Sequence, residues 1–296
     1  MREQDTDSQL FETHLAHNLT MPPLEETTAE FSRDELIAAR PLTVRTKVTV
    51  ACKTDLGRVR ENNEDKFEYY IPEDELRLAA RGMVFMVCDG MGGHAAGQIA
   101  SEMTCKTFID VYYSHQSESQ EEAARAAVFA ANRYVLDSGR AIPDRRGMGT
   151  TLSTLILCEG AAFTVQVGDS RIYRLRDAAI KQITDDHTFV EEQVRAGVLT
   201  REQAESHPYA HVLTRAVGVE EGVVPDVVKH ELLVGDIYLL CSDGLTGHVS
   251  DEEIFSMLSS LSPSEAAWRL VGAALQGGGR DNCTVLIVRV DSIDPC

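Results

Sequence analysis

The sequence predicts an α+β domain in which mainly antiparallel sheets carry helices packed on their outside. Short apolar runs recur from Thr46 onward, and several are bounded by Gly or Asp, as strands commonly are. Some runs follow one another too closely to leave room for crossover helices, which only parallel pairing requires. Longer segments with helical patterns lie between the other runs.

Seven apolar runs are predicted to be strands because they are short, rich in β-branched or aromatic residues and bounded by turn residues. They cover 47–53, 83–89, 151–158, 162–169, 171–176, 236–243 and 283–290. The stretch SRIYRLRDAAIKQI is predicted to be a hairpin that turns near Asp177.

Helices are predicted over 97–114 and 120–138, one directly after the other. A further helix is expected to begin at Ser262, a favourable N-cap, with Pro263 in its first turn. The segment Gly149-Thr150-Thr151 lacks the lysine and the spacing of a nucleotide-binding loop and runs directly into a strand. We therefore interpret it as core packing.

Composition limits the classes of function. The chain has 296 residues, of which 43% are hydrophobic and 25% are charged, as in ordinary globular proteins. No apolar run approaches the roughly 18 residues of a membrane-spanning helix, and the acidic N-terminus lacks the apolar core of a secretory signal. We therefore expect a cytoplasmic protein, monomeric by default, without a membrane partner. The net charge of −19 argues against a nucleic-acid partner, which requires a basic face.

Residues 1–44 are rich in Glu, Asp, Thr and Ser and are predicted to be a mostly mobile extension with a short helix over 31–40. The composition is equally compatible with a docking or regulatory role and with no specific role. The folded domain is expected over 45–292. Cysteines within or beside the strands are predicted to be small buried side chains rather than disulfides. They are Cys88, Cys158, Cys241 and Cys283.

Four aspartates stand at the ends of predicted strands. Asp89, Asp169 and Asp243 follow apolar runs, and Asp281 lies just before one. A single such Asp is most often a turn residue, but four carboxylates that converge in apolar surroundings would repel each other unless cations hold them. Ligands that are all oxygen favour Mg²⁺ or Mn²⁺ over zinc. The glycines after Asp89 would let the backbone offer the Gly90 carbonyl to an ion.

These motifs, with several others, resemble the PPM phosphatases, the type 2C protein phosphatases, and especially their bacterial branch. The matching stretches occur in the family's order and cover nearly all of 46–291. They are TDLGRVRENNED (54–65), CDGMGGHAAGQIAS (88–101), GMGTTLS (147–153), VGDSRIYRL (167–175), the segment 184–218, CSDGLT (241–246) and GGRDNCTV (278–285). The resemblance implies a four-layer α-β-β-α sandwich with two stacked antiparallel sheets and helices on both outer faces.

The resemblance also implies a site for two to three Mg²⁺ or Mn²⁺ ions. A bridged pair would be held by Asp89, Asp243, Asp281 and the Gly90 carbonyl, and a third ion by Asp169 together with Asp243. In this assignment Glu64 and Asp65 hold ions through water. Arg60 matches the family's phosphate-binding arginine, whose two parallel N–H groups suit a phosphate better than a lysine would.

The implied reaction is hydrolysis of phosphoserine and phosphothreonine in proteins by water that the ions activate, with Arg60, Asp65 and Asp89 as the catalytic residues. The phosphoprotein partners are expected to be substrates of a bacterial Ser/Thr kinase, and that kinase itself is a further candidate. The alternative is a catalytically silent family member that binds phosphoproteins as a regulator. A silent member should have lost a metal aspartate, whereas all four are present.

Some positions depart from the family pattern or carry weaker signals. Eukaryotic members have a histidine as proposed general acid where this chain has Met91, which leaves the proton donor unassigned; water held by the ions is the preferred interpretation. Gln98 replaces a common Glu, a minor change. His94 is predicted to be structural rather than a ligand. Residues 187–211 resemble a flap that influences substrate choice. Its histidines, for which packing or hydrogen bonding is favoured over catalysis, are His187, His207 and His211.

Overall fold

The computed structural model describes residues 41–92 and 95–296. The short helix predicted over 31–40, most of the predicted N-terminal extension and the role predicted for His94 therefore fall outside the described residues. None of the helices in the described ranges combines the length and hydropathy that a bilayer crossing requires.

The strands account for most of the described framework. In chain order they are β1 Val44–Asp55, β2 Lys66–Tyr70, β3 Met83–Cys88, β4 Gly90–Met91, β5 Gly149–Thr150, β6 Leu152–Cys158, β7 Ala161–Val167, β8 Arg171–Arg176, β9 Ala179–Gln182, β10 Asp226–Glu231, β11 Ile237–Cys241 and β12 Cys283–Pro295. The helices are α1 Glu75–Arg81, α2 Ala96–Ser114, α3 Gln120–Ala141, α4 Phe189–Arg195, α5 Arg201–Glu205, α6 Asp243–Thr246, α7 Asp251–Ser260 and α8 Pro263–Gln276.

Two five-stranded sheets form the centre of the domain. One has the strand order β1-β12-β11-β8-β9 and the other β10-β7-β6-β3-β2, with every neighbouring pair antiparallel. The short pair β4-β5 stands apart from both. The predicted antiparallel architecture is confirmed.

Alternate residues of the central strands face different layers. In β3, Phe85 belongs to a core between the sheets, whereas its neighbour Met86 belongs to a core shared with residues of α2 and α3. In β12, Leu286 faces the inter-sheet core and Ile287 faces a core shared with residues of α7 and α8. Side chains alternate across a strand, so strands buried on both faces read as unbroken apolar runs. The layers are thus helix pair, sheet, sheet and helix pair.

The predicted hairpin and the predicted helix start are also confirmed. Asp177 and Ala178 have φ of 49° and 56° between β8 and β9, as a two-residue hairpin turn requires. Ser262 caps α8 by accepting from the Glu265 N–H, and the Glu265 side chain caps in return. The four strand cysteines named above are buried, as predicted.

Several elements were missed from the sequence: the edge strands β2 and β10 and the helices α1, α4, α5 and α7. The edge strands carry few fully buried residues, so their apolar pattern is weak. α1, α4 and α5 have seven residues or fewer, too few for a clear period.

Candidate active site

A cleft of about 950 Å³ opens where the ends of strands from both sheets meet. Its walls include all four aspartates that the sequence places at strand ends, together with Arg60, Glu64 and Gly90. Asp65 lies beneath the cleft and is 7% exposed. The fold therefore brings together every residue predicted for the site.

Asp89 follows β3 and is fixed by its backbone. Its N–H donates to Thr151 Oγ1 at 2.8 Å, and its carbonyl accepts from the Thr151 N–H at 2.8 Å. The next residue must be glycine, because a Cβ on Gly90 would lie 2.2 Å from the Gly97 carbonyl oxygen and 2.5 Å from that of Glu64. This crowding holds the Asp89-Gly90 backbone against α2 and leaves little freedom for the direction of the Gly90 carbonyl.

Asp243 begins α6 directly after β11. The preceding residue, Ser242, donates its hydroxyl to Asp65 Oδ2 at 2.7 Å and accepts from the Thr284 N–H at 3.0 Å. The other oxygen of Asp65 and Oδ1 of Asp243 are buried and have no hydrogen-bond partner among the described residues. Because an unpartnered buried oxygen is costly, these two atoms call for a cationic or water ligand.

Asp281 is held from both sides. Its Oδ2 accepts from Arg60 Nη2 at 2.6 Å, and its Oδ1 accepts from the Asn282 N–H at 2.8 Å. The Asn282 side chain accepts from the Glu64 N–H at 2.8 Å and donates to the Asn62 carbonyl at 3.0 Å. Asn282 therefore ties the loop that carries Arg60 and Glu64 to the β12 end of the cleft.

Asp169 follows Gly168, whose φ of 98° turns the chain after β7. The Gly168 N–H donates to Nδ1 of His187 at 3.2 Å, so the neutral imidazole carries its proton on Nε2, which is 3.1 Å from Asp226 Oδ2. Arg215 also pairs with Asp226 at 2.8 Å. A network centred on the buried His187 thus joins the Asp169 loop to the segment that resembles a flap.

Burial, followed by repulsion between neighbouring carboxylates, raises the pKa values of four site aspartates. Burial, and then repulsion from Asp65 and Asp243, holds the pKa of Asp89 well above its usual range. Burial raises the pKa of Asp65 to about 7 in spite of the Ser242 hydrogen bond, and burial with the Asp243 charge raises that of Asp169 to about 7. Burial and then Asp281 raise the pKa of Asp243. Arg60 has a raised pKa, first because of its hydrogen bond with Asp281.

These residues fit a hard divalent cation. The donors are oxygens, two of them buried without a partner, and the carboxylates are too close to ionise together without added positive charge. Within 41–92 and 95–296, however, no group of three or more acidic, histidine or cysteine side chains is arranged in this structure so that it could hold a metal ion. Arg60 is the cation that Asp281 contacts in this structure.

The histidines of the segment 187–211 differ in their surroundings. His187 is buried and hydrogen-bonded, and His207 packs against Phe189 and Tyr209, as the predicted structural roles require. His211 differs, because it is exposed and lines the cleft. Met91 lies in the cleft wall, and its terminal methyl would meet a Cβ added at Gly149.

Sequence reasoning missed several residues that organise the site. Asn282, Ser242 and Thr151 hold the predicted ligands in place, and His248 and Arg280 extend the cleft wall. Asn282 and Ser242 stand next to Asp281 and Asp243 in sequence, which was the one available signal. The partner of Asn282 is Glu64, 218 positions away, and the partner of Ser242 is Asp65, 177 positions away.

Two stacked antiparallel sheets between helix pairs, with an acid-lined cleft at the strand ends, define the class of the PPM phosphatases. A family model described as protein phosphatase 2C matches residues 58–275. The chain belongs to this family, and the resemblance seen in its motifs is confirmed.

Named relatives are bacterial. The chain is 39% identical over 82% of its length to the serine/threonine protein phosphatase PstP of Mycobacterium tuberculosis, but it spans only 45% of the length of that relative. It is 36% identical to the serine/threonine phosphatase Stp of Listeria monocytogenes, over 81% of this chain and 94% of the relative. A solved structure of the catalytic domain of PstP in complex with two manganese ions matches with a TM-score of 0.71 and 37% identity, over 84% of this chain and all of that one.

Proposed function

We propose that this chain hydrolyses phosphoserine and phosphothreonine in proteins and that the reaction depends on Mg²⁺ or Mn²⁺. The observation that carries the proposal is the convergence of Asp89, Asp169, Asp243 and Asp281 on one cleft opposite Arg60. The family and the named relatives support the same reaction.

Two to three ions are proposed for the cleft. Asp89, Asp243, Asp281 and the Gly90 carbonyl would hold a pair, and Asp169 with Asp243 a third. Glu64 and Asp65 would act through water, which suits the unpartnered buried oxygen of Asp65. When bound, the ions supply an activated water and neutralise charge on the phosphoryl oxygens.

Arg60 is proposed to bind the substrate phosphate. Its side chain is 55% exposed at the cleft mouth, and a guanidinium can bind two phosphate oxygens with parallel N–H groups. The same Nη2 now pairs with Asp281. Because Nη2 carries two hydrogens, it can donate both of them to phosphate only when Asp281 has another cationic partner, which links the full phosphate-binding capacity of Arg60 to a site that holds ions.

The proton for the leaving serine or threonine oxygen needs a donor other than residue 91. Met91 has no titratable group, and water in the cleft is the proposed donor. The proposed protein partners are a Ser/Thr kinase and its substrates, the chain acts as a monomer, and the compartment is the cytoplasm.

The test is phosphate release from p-nitrophenyl phosphate and from a phosphothreonine peptide by purified protein with Mn²⁺, Mg²⁺ or EDTA. Hydrolysis that requires added metal and stops with EDTA is expected. Absence of hydrolysis with every metal, from protein with a cooperative thermal transition, would instead favour the catalytically silent phosphoprotein-binding regulator.

A further inference from the structure

Two arginines and a histidine extend the Arg60 side of the cleft. Arg280 and His248 line the cleft next to Asp281, and Arg58 lies beside them, two residues before Arg60. None of the three belongs to the proposed catalytic set. In a chain with a net charge of −19, a basic surface at this position is an unexpected feature.

Two loops pack together to form this surface. The Arg58 N–H donates to the Gly279 carbonyl at 2.7 Å, and a Cβ on Gly279 would lie 3.2 Å from Arg58 Cγ. The Arg280 N–H donates to His248 Nε2 at 3.3 Å. A Cβ on Gly278 would lie 3.4 Å from His248 Cε1 and 3.8 Å from Arg280 Cγ. The glycines at 278 and 279 thus let Arg58, His248 and Arg280 pack around one short backbone segment.

The two outer arginines are available to a ligand. Arg58 and Arg280 are exposed, and neither guanidinium forms an ion pair or hydrogen bond with another of the described residues. Arg60 differs, because Asp281 neutralises it. Arg280 therefore brings a charge without a carboxylate partner among the described residues to the wall of the cleft, and Arg58 adds a second such charge beside the same loop.

We propose that Arg280 and Arg58 form a subsite for a second anionic group on the phosphoprotein substrate, a carboxylate or a second phosphate near the scissile phosphate. His248 positions the Arg280 backbone. Arg280 directly precedes Asp281, the partner of Arg60, so the Cα atoms of Arg280 and Asp281 are about 3.8 Å apart. An extended peptide advances about 3.3 Å per residue. The second anion should therefore lie about one to three residues from the phosphorylated residue. The inference rests on the proposed phosphatase function and defines its substrate class.

The experiment compares three phosphothreonine peptides with Mn²⁺: one with neutral flanks, one with glutamates at the flanking positions and one with a second phosphothreonine. We expect the anionic peptides to have kcat/KM about 5- to 10-fold above the neutral one, mainly through KM, with a smaller advantage at high salt because exposed charges are screened. An advantage of glutamate alone or of phosphate alone would identify the source of the anion.

Arg280→Ala and Arg58→Ala should each remove much of this advantage while turnover of p-nitrophenyl phosphate and of the neutral peptide stays within about twofold. Arg269→Ala is the matched control, because it deletes an exposed arginine on α8 away from the cleft. Arg280→Glu should reverse the preference toward a lysine-flanked peptide. Thermal unfolding of each variant reports whether it folds.

Equal kcat/KM for neutral and anionic peptides in the unmodified protein would overturn the subsite. So would an Arg269→Ala effect as large as that of Arg280→Ala, because the advantage would then reflect overall charge. Failure of the proposed function has a different signature, since none of the peptides would be hydrolysed with any metal.

Discussion

At the scale of single residues, Arg60 has two competing partners. In this structure its guanidinium neutralises Asp281 at 2.6 Å, and the proposed reaction requires the same group to bind phosphate. The buried oxygens of Asp65 and Asp243 are unpartnered at the same time. The site therefore carries an excess of negative charge that Arg60 relieves at one carboxylate only.

Arg60→Ala should raise KM for a phosphothreonine peptide more than it lowers kcat. Hydrogen bonds to charged groups contribute about 1.5–3 kcal/mol, which corresponds to roughly 10- to 100-fold in binding. Steady-state kinetics with saturating Mn²⁺ measures the effect, and Arg60→Lys should recover only part of it because the paired geometry is lost. An unchanged KM would contradict the phosphate-binding role.

Asp89→Asn and Asp243→Asn should each abolish turnover, with a loss of at least about 100-fold, because each removes a charged ligand of the proposed pair of metal ions. Asp169→Ala should weaken a third ion and leave the pair in place. Calorimetric titration with Mn²⁺ separates these cases by the number of ions bound. Full activity in either Asn variant would refute the site assignment, and loss of all ions in Asp169→Ala would refute the division of ligands.

At the level of elements, the segment that includes α4 and α5 is joined to the Asp169 loop through the hydrogen bonds of the buried His187. His187 is 2% exposed and connects the Gly168 N–H to Asp226, which in turn pairs with Arg215. Burial lowers the pKa of His187, and its imidazole in the neutral form accepts at Nδ1. The segment and the Asp169 loop should consequently respond together when this network is broken.

His187→Ala should destabilise the protein by about 1–3 kcal/mol, since it leaves the buried Gly168 N–H without its acceptor. It should also speed proteolytic cleavage between residues 196 and 212. Urea unfolding and limited proteolysis with mass spectrometry measure both effects. His207→Ala is the control, because His207 contacts Phe189 and Tyr209 but not the Asp169 loop. Identical cleavage rates in the two variants would disprove the anchoring role.

At the scale of the whole molecule, the carboxylate cluster makes stability depend on pH and on metal. Asp65 and Asp169 have pKa values raised to about 7, against about 3.9 for an unfolded aspartate. The folded protein thus holds protons that the unfolded chain has released. Their stabilising contribution is fully present below about pH 4 and is lost as pH rises through about 7.

Metal-free protein in EDTA should therefore have a melting temperature that falls between about pH 5.5 and 8. Added Mn²⁺ should raise the melting temperature more at pH 8 than at pH 5.5, because ions bind the ionised carboxylates of the folded state. Differential scanning calorimetry measures both trends, and Asp169→Asn should flatten the metal-free profile. A flat profile in the unmodified protein would show that these carboxylates are not linked to folding in this range.

Strands that are buried on both faces can be predicted from the amino-acid sequence alone, because a continuous apolar run such as β3 or β12 is recognisable without knowledge of the neighbouring strands. The sequence also predicts an aspartate at the end of each site strand and the start of α8 at Ser262. These features depend on residues a few positions apart.

The contacts between side chains that are distant in sequence become visible only in the folded structure. Asn282 bonds to Glu64, 218 positions away, and Arg58 and Arg280 come together through Gly279. The two unpartnered carboxylate oxygens become apparent in the same way, since burial depends on the packed sheets. Local periodicity does not predict such contacts, because they form only when loops that are distant in sequence pack together in the folded domain.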